Sequence, residues 1–164
     1  MSPQDKGIDF IAYDDAGRVI LIAEVKNKFG TSEQWAARFR RNMPAHGVLP
    51  KALFFLIATP ERMYFWKQDR PGVADQPPEF TIDTAREFKQ YFEKLDKKPH
   101  AVGEQTLELL VLSWLTDMVR TGDARVKQDP SMQWLAESGL INSLEKAHIE
   151  MNPWTDCYAE RSSD

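Results

Sequence analysis

The nine residues Arg18 to Lys26 (RVILIAEVK) constrain the fold of this chain more than any other stretch. Their apolar side chains do not alternate with polar ones, so a strand built from them has no face left for water. Such a strand belongs in the middle of an α/β sheet with helices over both faces. Alternation along it places Val19, Leu21, Ala23 and Val25 on one face and Ile20 and Ile22 on the other. Glu24 breaks the apolar run. A carboxylate in a strand covered on both faces requires a partner or a task.

The neighbouring segments supply the rest of a sheet. Ile8 to Tyr13 reads as a strand, Asp14 to Gly17 as a turn, and Asn27 to Ser32 as a loop. Thr31-Ser32-Glu33 starts a helix through Asn42, with Trp35 and Phe39 on one stripe. Ala52 to Thr59 reads as a buried strand, Pro60 to Arg62 as a turn and Met63 to Lys67 as its partner strand. The stretch 69–82 reads as a loop rich in proline (Pro71, Pro77, Pro78). Beyond it the pattern is helical. Asp83 or Thr84 caps a helix through Leu95, Glu104 to Arg120 forms a strongly apolar helix, and Ser131 to Ile149 gives one or two more, interrupted near Gly139. The expected organisation is a sheet and first helix over 1–68, the loop, a helical region over 83–152 and a tail over 153–164.

Composition narrows the function classes. Hydrophobic residues at 42% with 28% charged support a packed core rather than disorder. A net charge of −4 argues against coating nucleic acid by bulk electrostatics, though not against a local basic patch. The single cysteine, Cys157, permits no internal disulfide. No apolar run reaches membrane-spanning length, and Met1 to Phe10 lacks a signal-peptide pattern, so the cytoplasm is the default expectation.

The constellation that carries chemistry is Asp9, the turn, then Glu24-Val25-Lys26. A two-residue loop at Ala16-Gly17 puts Asp9 directly opposite Glu24; a four-residue loop makes them diagonal neighbours. Both place the carboxylates on one face, and Lys26 with them. A three-residue loop would put them on opposite faces. Two carboxylates a few ångströms apart repel by roughly 4 kcal/mol at an effective dielectric of about 20. A divalent hard cation removes that repulsion, polarises a phosphodiester and lowers the pKa of a bound water. A lysine beside it can orient the water or neutralise charge on the phosphate.

On these residues the chain resembles the PD-(D/E)xK nuclease superfamily, in particular the small restriction-endonuclease-like domains found at the front of type I restriction subunits. The resemblance covers about Ile8 to Lys67. It implies a restriction-endonuclease-like mixed sheet flanked by helices, acting as a Mg²⁺-dependent nuclease on DNA, with Mn²⁺ able to substitute. Asp9 matches the first acid, Glu24 the second, Val25 the residue between that joins the metal site, and Lys26 the lysine; Gln34 matches a supporting glutamine on the following helix. A non-catalytic binding or assembly module of the same fold is the alternative. The family often has proline where Ile8 stands. It also places a helix and a strand before the first acid, whereas eight residues precede Asp9 here. The sheet face they would cover is expected to receive helix Glu104–Arg120, through Leu107, Leu110, Val111, Trp114 and Met118, or a second copy of the chain as a homodimer.

Other candidates carry less. Lys28, Arg38 and Arg41, with Arg40 and Lys26 nearby, form either a phosphate-contacting patch or an ordinary solvated helix face. Glu87-Phe88-Lys89 repeats the acid-x-Lys pattern without a partner acid and reads as a solvated helix face. His46, His100 and His148 show no ligand spacing, and Cys157 no histidine partner.

Overall fold

The computed structural model describes residues 8–43, 51–68, 76–98 and 101–151; His46, His100, Cys157, the first half of the proline-rich stretch and the tail lie outside them. The protein is an α/β fold around one mixed six-stranded sheet. Its strands are β1 (Phe10–Tyr13), β2 (Val19–Val25), β3 (Phe54–Ala58), β4 (Arg62–Lys67), β5 (Phe80–Asp83) and β6 (His148–Met151), in the order β5-β4-β3-β2-β1-β6. Only β2 and β3 run parallel; every other pair is antiparallel. The parallel step needs a crossover, and α1 (Glu33–Asn42) provides it. The helical half contains α2 (Thr84–Glu87), α3 (Lys89–Leu95), α4 (Glu104–Gln128), a 3-10 turn at Pro130–Met132, α5 (Gln133–Glu137) and α6 (Leu140–Leu144).

The helices start where their cap chemistry dictates. Ser32 accepts from Trp35 N–H at the head of α1, and Asp83 accepts from the Ala85 and Arg86 N–H groups at the head of α2. Gly139, at φ +86°, ends α5 and opens α6.

The sheet is the middle of three layers. On one face, Ile8, Ile11, Ile22, Phe55, Ile57, Tyr64 and Trp66 pack with Ala36, Trp35 and Phe39 of α1. On the other, Phe10, Leu21, Ala23, Val25, Leu56 and Phe65 pack with the helical half. There α4 lays Leu107, Leu110, Val111, Trp114, Leu115 and Met118 into the core, each nearly inaccessible. Of the two covers that the sequence left open for this face, α4 is the one that lies over it. Burying such a side chain contributes about 1.5–3 kcal/mol, so this stripe is a principal stabiliser.

Several local expectations differ from the structure. Phe80–Asp83 is an edge strand on β4 rather than loop, and His148–Met151 is an edge strand on β1 rather than the end of a helix. Both are short, with few buried side chains, so pairing rather than sequence pattern makes them strands. Arg40 is buried, donating to Gln68 Oε1 from Nε at 3.0 Å and from Nη2 at 2.6 Å, with its guanidinium over Phe55 and Trp66. It is therefore no part of an exposed basic patch. Glu87 is not on a solvated face either. It accepts from Trp134 Nε1 at 2.9 Å and Trp114 Nε1 at 3.3 Å, tying α2 to α5 and α4.

Candidate functional site: an acidic pair where β2 and β3 end

The hairpin that carries the two acids solves its parity problem in two places. Asp14 N–H donates to Arg18 O at 2.9 Å, leaving three residues, Asp15 to Gly17, in the loop. Gly17 N–H closes a turn on Asp14 O at 3.0 Å, and Gly17 takes φ +80°, a conformation glycine adopts without cost. Asp14 fixes the turn further, accepting from Ala16 and Arg18 N–H and from Arg18 Nε; hydrogen bonding to Arg18 holds its carboxyl below the ordinary aspartate range.

A three-residue loop alone would send Asp9 and Glu24 to opposite faces. A bulge reverses this. Ala12 pairs with Leu21 and Tyr13 with Val19, so Ile20 has no residue opposite it. Ile20 accordingly turns to the α4 side with Leu21, and Val19 to the α1 side, the reverse of simple alternation. Beyond the bulge Phe10 pairs with Ala23, and continuing that register sets Asp9 opposite Glu24.

Glu24 lies on the α1 face, in step with Ile22, and Asp9, in the bend just before β1, brings its carboxyl against that of Glu24. Asp9 ends the ladder by accepting the Val25 N–H on Oδ2 at 2.7 Å. In an extended residue the N–H and C=O leave the same edge of the strand, so the Val25 carbonyl also faces the Asp9 side. Consistent with this, the Lys26 N–H faces β3 and donates to Ala58 O at 2.9 Å. Glu24 is 2% exposed, and its Oε1 has no hydrogen-bond partner. Burial first, then the charge of Asp9 and contact with its carboxyl, holds the Glu24 carboxyl well above the ordinary glutamate value, while Lys26 pulls it back. A buried carboxyl with an orphaned oxygen beside a second acid is costly to fold around.

Lys26 leaves β2 on the same face and lays its ammonium over the Phe39 ring, 5.1 Å from the centroid. Lys28 does the same over Trp35 at 5.4 Å, and the two rings stack at 5.6 Å. The loop after Lys28 is fastened to the β3–β4 hairpin: Gly30 N–H donates to Glu61 Oε1 in its turn at 2.7 Å, and Thr31 Oγ1 bonds Tyr64 OH on β4 at 2.7 Å.

Gln34 is exposed on α1 and makes no hydrogen bond to either carboxylate. Arg38 and Arg41 are exposed farther along α1. The structure thus brings together Asp9, Glu24, Val25 and Lys26, with Lys28 following, while Gln34, Arg38 and Arg41 stand exposed on α1.

One contributor had no signal in the sequence. Glu108, in the second turn of α4, is partly buried; desolvation, then the charges of Asp9 and Glu104, raises its carboxyl above the ordinary range, and Lys26 opposes the shift. The packing of α4 on β2 therefore adds a third acid, Glu108, to the field around Asp9, with Glu104 acting on Glu108. Only the fold makes them neighbours. Among the described residues no group of three or more acidic, histidine or cysteine side chains stands at metal-holding spacing, so Glu104 and Glu108 contribute charge at a distance.

Fold and site together define an α/β protein with a buried glutamate, a half-buried aspartate beside it and an adjoining lysine at the edge where two parallel strands end. No protein-family model, curated protein or solved structure matches the chain.

Proposed function

We propose that the protein is a Mg²⁺-dependent nuclease, or the nuclease domain of a larger assembly, hydrolysing phosphodiester bonds in DNA. The observation that carries this reading is the buried Glu24 carboxyl, one of its oxygens orphaned, against Asp9, with Lys26 one alternation farther and over Phe39. The donor set fits the metal. Mg²⁺ prefers oxygen ligands and keeps several of its waters, so Asp9, Glu24 and the Val25 carbonyl are enough to hold it. When bound, the ion supplies Lewis-acid polarisation of the phosphate and a more acidic water.

The chain's own residues do the rest. Asp9 and Glu24 give up their mutual repulsion when the cation arrives, which ties the charge state of Glu24 to occupancy of the site. The Lys26 ammonium, held over Phe39, is poised to orient the attacking water or to meet charge developing on the phosphate. Glu108 deepens the negative field that draws a divalent cation in.

The test is cleavage of plasmid DNA with Mg²⁺ or Mn²⁺ by wild type, Glu24→Ala and Lys26→Met. Metal-dependent cleavage abolished by Glu24→Ala and strongly reduced by Lys26→Met supports the reading. DNA binding without cleavage would make the protein a non-catalytic relative acting as a binding or assembly module, and no response to either metal would sink the metal site itself.

A further inference from the structure

We propose that Lys26, Lys28 and Phe29 form a landing strip for a single, unpaired nucleic-acid strand leading to the Asp9–Glu24 pair. It deepens the nuclease reading by naming the form of the substrate, and it rests on that reading only for what happens at the end of the strip.

Three observations carry it. The two ammoniums are not loose: each is seated over an α1 ring, and those rings stack on one another. Lysine normally loses much side-chain freedom on binding a phosphate, and a seated lysine has already lost part of it. Next in the chain, Phe29 is 45% exposed. A lone exposed apolar residue is ordinary. Phe29 differs because the adjoining residues are fastened, Gly30 to Glu61 and Thr31 to Tyr64, so the ring is displayed on an anchored loop. Finally, a pair of cations beside a displayed aromatic face is the chemistry that binds unpaired strands: phosphates meet the ammoniums and a base stacks on the ring.

A duplex fits this arrangement less well, because its bases are already stacked on one another and offer no face to Phe29. Two flanking carboxylates are turned to other partners, Glu61 to Gly30 N–H and Glu33 to Thr81 Oγ1 at 2.8 Å, and the acids that act on Lys26 leave Lys28 and Phe29 as the strip's outer contacts. A strand of either sugar type satisfies this chemistry, so the prediction concerns strandedness rather than DNA against RNA.

The experiment measures Kd by fluorescence anisotropy for a labelled oligothymidylate and for a duplex of equal length, in EDTA so that nothing is cut. Wild type, Phe29→Ala, Phe29→Trp and Lys28→Ala are compared, with thermal melting as the folding control. Phe29→Ala is expected to weaken single-strand binding roughly tenfold, the scale of one lost base stack, with the duplex Kd and the melting temperature unchanged. Phe29→Trp should restore affinity, and Lys28→Ala should lower the salt dependence by about one phosphate contact. An unchanged single-strand Kd in Phe29→Ala overturns the proposal, as does equal loss for both substrates or no single-strand binding by wild type. Metal-dependent duplex cleavage combined with Phe29-independent binding would remove this inference and leave the nuclease reading standing. Phe29-dependent binding with no cleavage would do the opposite.

Discussion

Replacing Glu24 by glutamine should make the metal-free protein more stable at neutral pH, although it removes a proposed ligand. In the native state, burial and Asp9 hold the Glu24 carboxyl well above its ordinary value of 4.5; in the unfolded chain it titrates near that value. Between the two, the native state binds one proton more than the unfolded state. Stability therefore falls as pH rises through this window, by up to about 1.4 kcal/mol per pH unit, and levels off above the native pKa. Below the unfolded value both states are protonated and the penalty vanishes. Glutamine keeps the shape, carries no charge and can donate to Asp9.

The size follows from the charge that it removes. The buried, partnerless Oε1 is common to both proteins and drops out of the difference. The ionised pair would repel by up to about 4 kcal/mol, of which the raised Glu24 carboxyl relieves a part. A gain of about 1–3 kcal/mol at pH 7 is expected, which raises Tm by roughly 3–10 °C for a domain of this size. Urea unfolding of wild type and Glu24→Gln in EDTA, at intervals from pH 4.5 to 8, reads it directly. The variant's advantage should grow with pH from nearly nothing at the acid end. A variant less stable than wild type at pH 7, or a difference that does not change with pH, would refute the account of Glu24 as a strained, desolvated acid.

Mg²⁺ or Mn²⁺ should raise the Tm of wild type and raise that of Asp9→Asn distinctly less, because a ligand bound only to the native state stabilises by mass action; equal shifts would place the metal elsewhere. Glu108→Gln should weaken Mg²⁺ binding a few-fold at low ionic strength and hardly at all in 0.5 M salt, since a partly exposed charge acting at a distance is screened; titration calorimetry at two salt concentrations separates the outcomes. Glu87→Leu should lower stability by about 2–6 kcal/mol, because two buried indole N–H groups lose their acceptor at about 1–3 kcal/mol each; an unchanged urea midpoint would contradict the structural role of Glu87.

Elements with a local cause were legible from the residues alone. The unbroken apolar run of β2 fixed a central strand covered on both faces, Ser32 and Asp83 marked the starts of α1 and α2, and the stripe from Leu107 to Met118 marked a helix with a broad face to bury. The pairing of Asp9 with Glu24 was legible too, as a matched offset about a turn. What made that offset work was not. The loop has three residues, and the acids share a face only because Ile20 bulges out of register, a compensation set by packing on the two sides of the sheet. Strands β5 and β6 exist because a neighbouring edge pairs with them, and their few apolar residues carry no signal of their own. Arg40 and Glu87 read as surface charges because a sequence does not reveal which hydrogen-bond partners will meet them in the interior. Glu108 joins the field around Asp9 for the same reason. Local pattern fixes what a segment can be, whereas long-range packing alone decides which charges become neighbours, and a site built from charges is therefore the part of this protein that the tertiary structure had to settle.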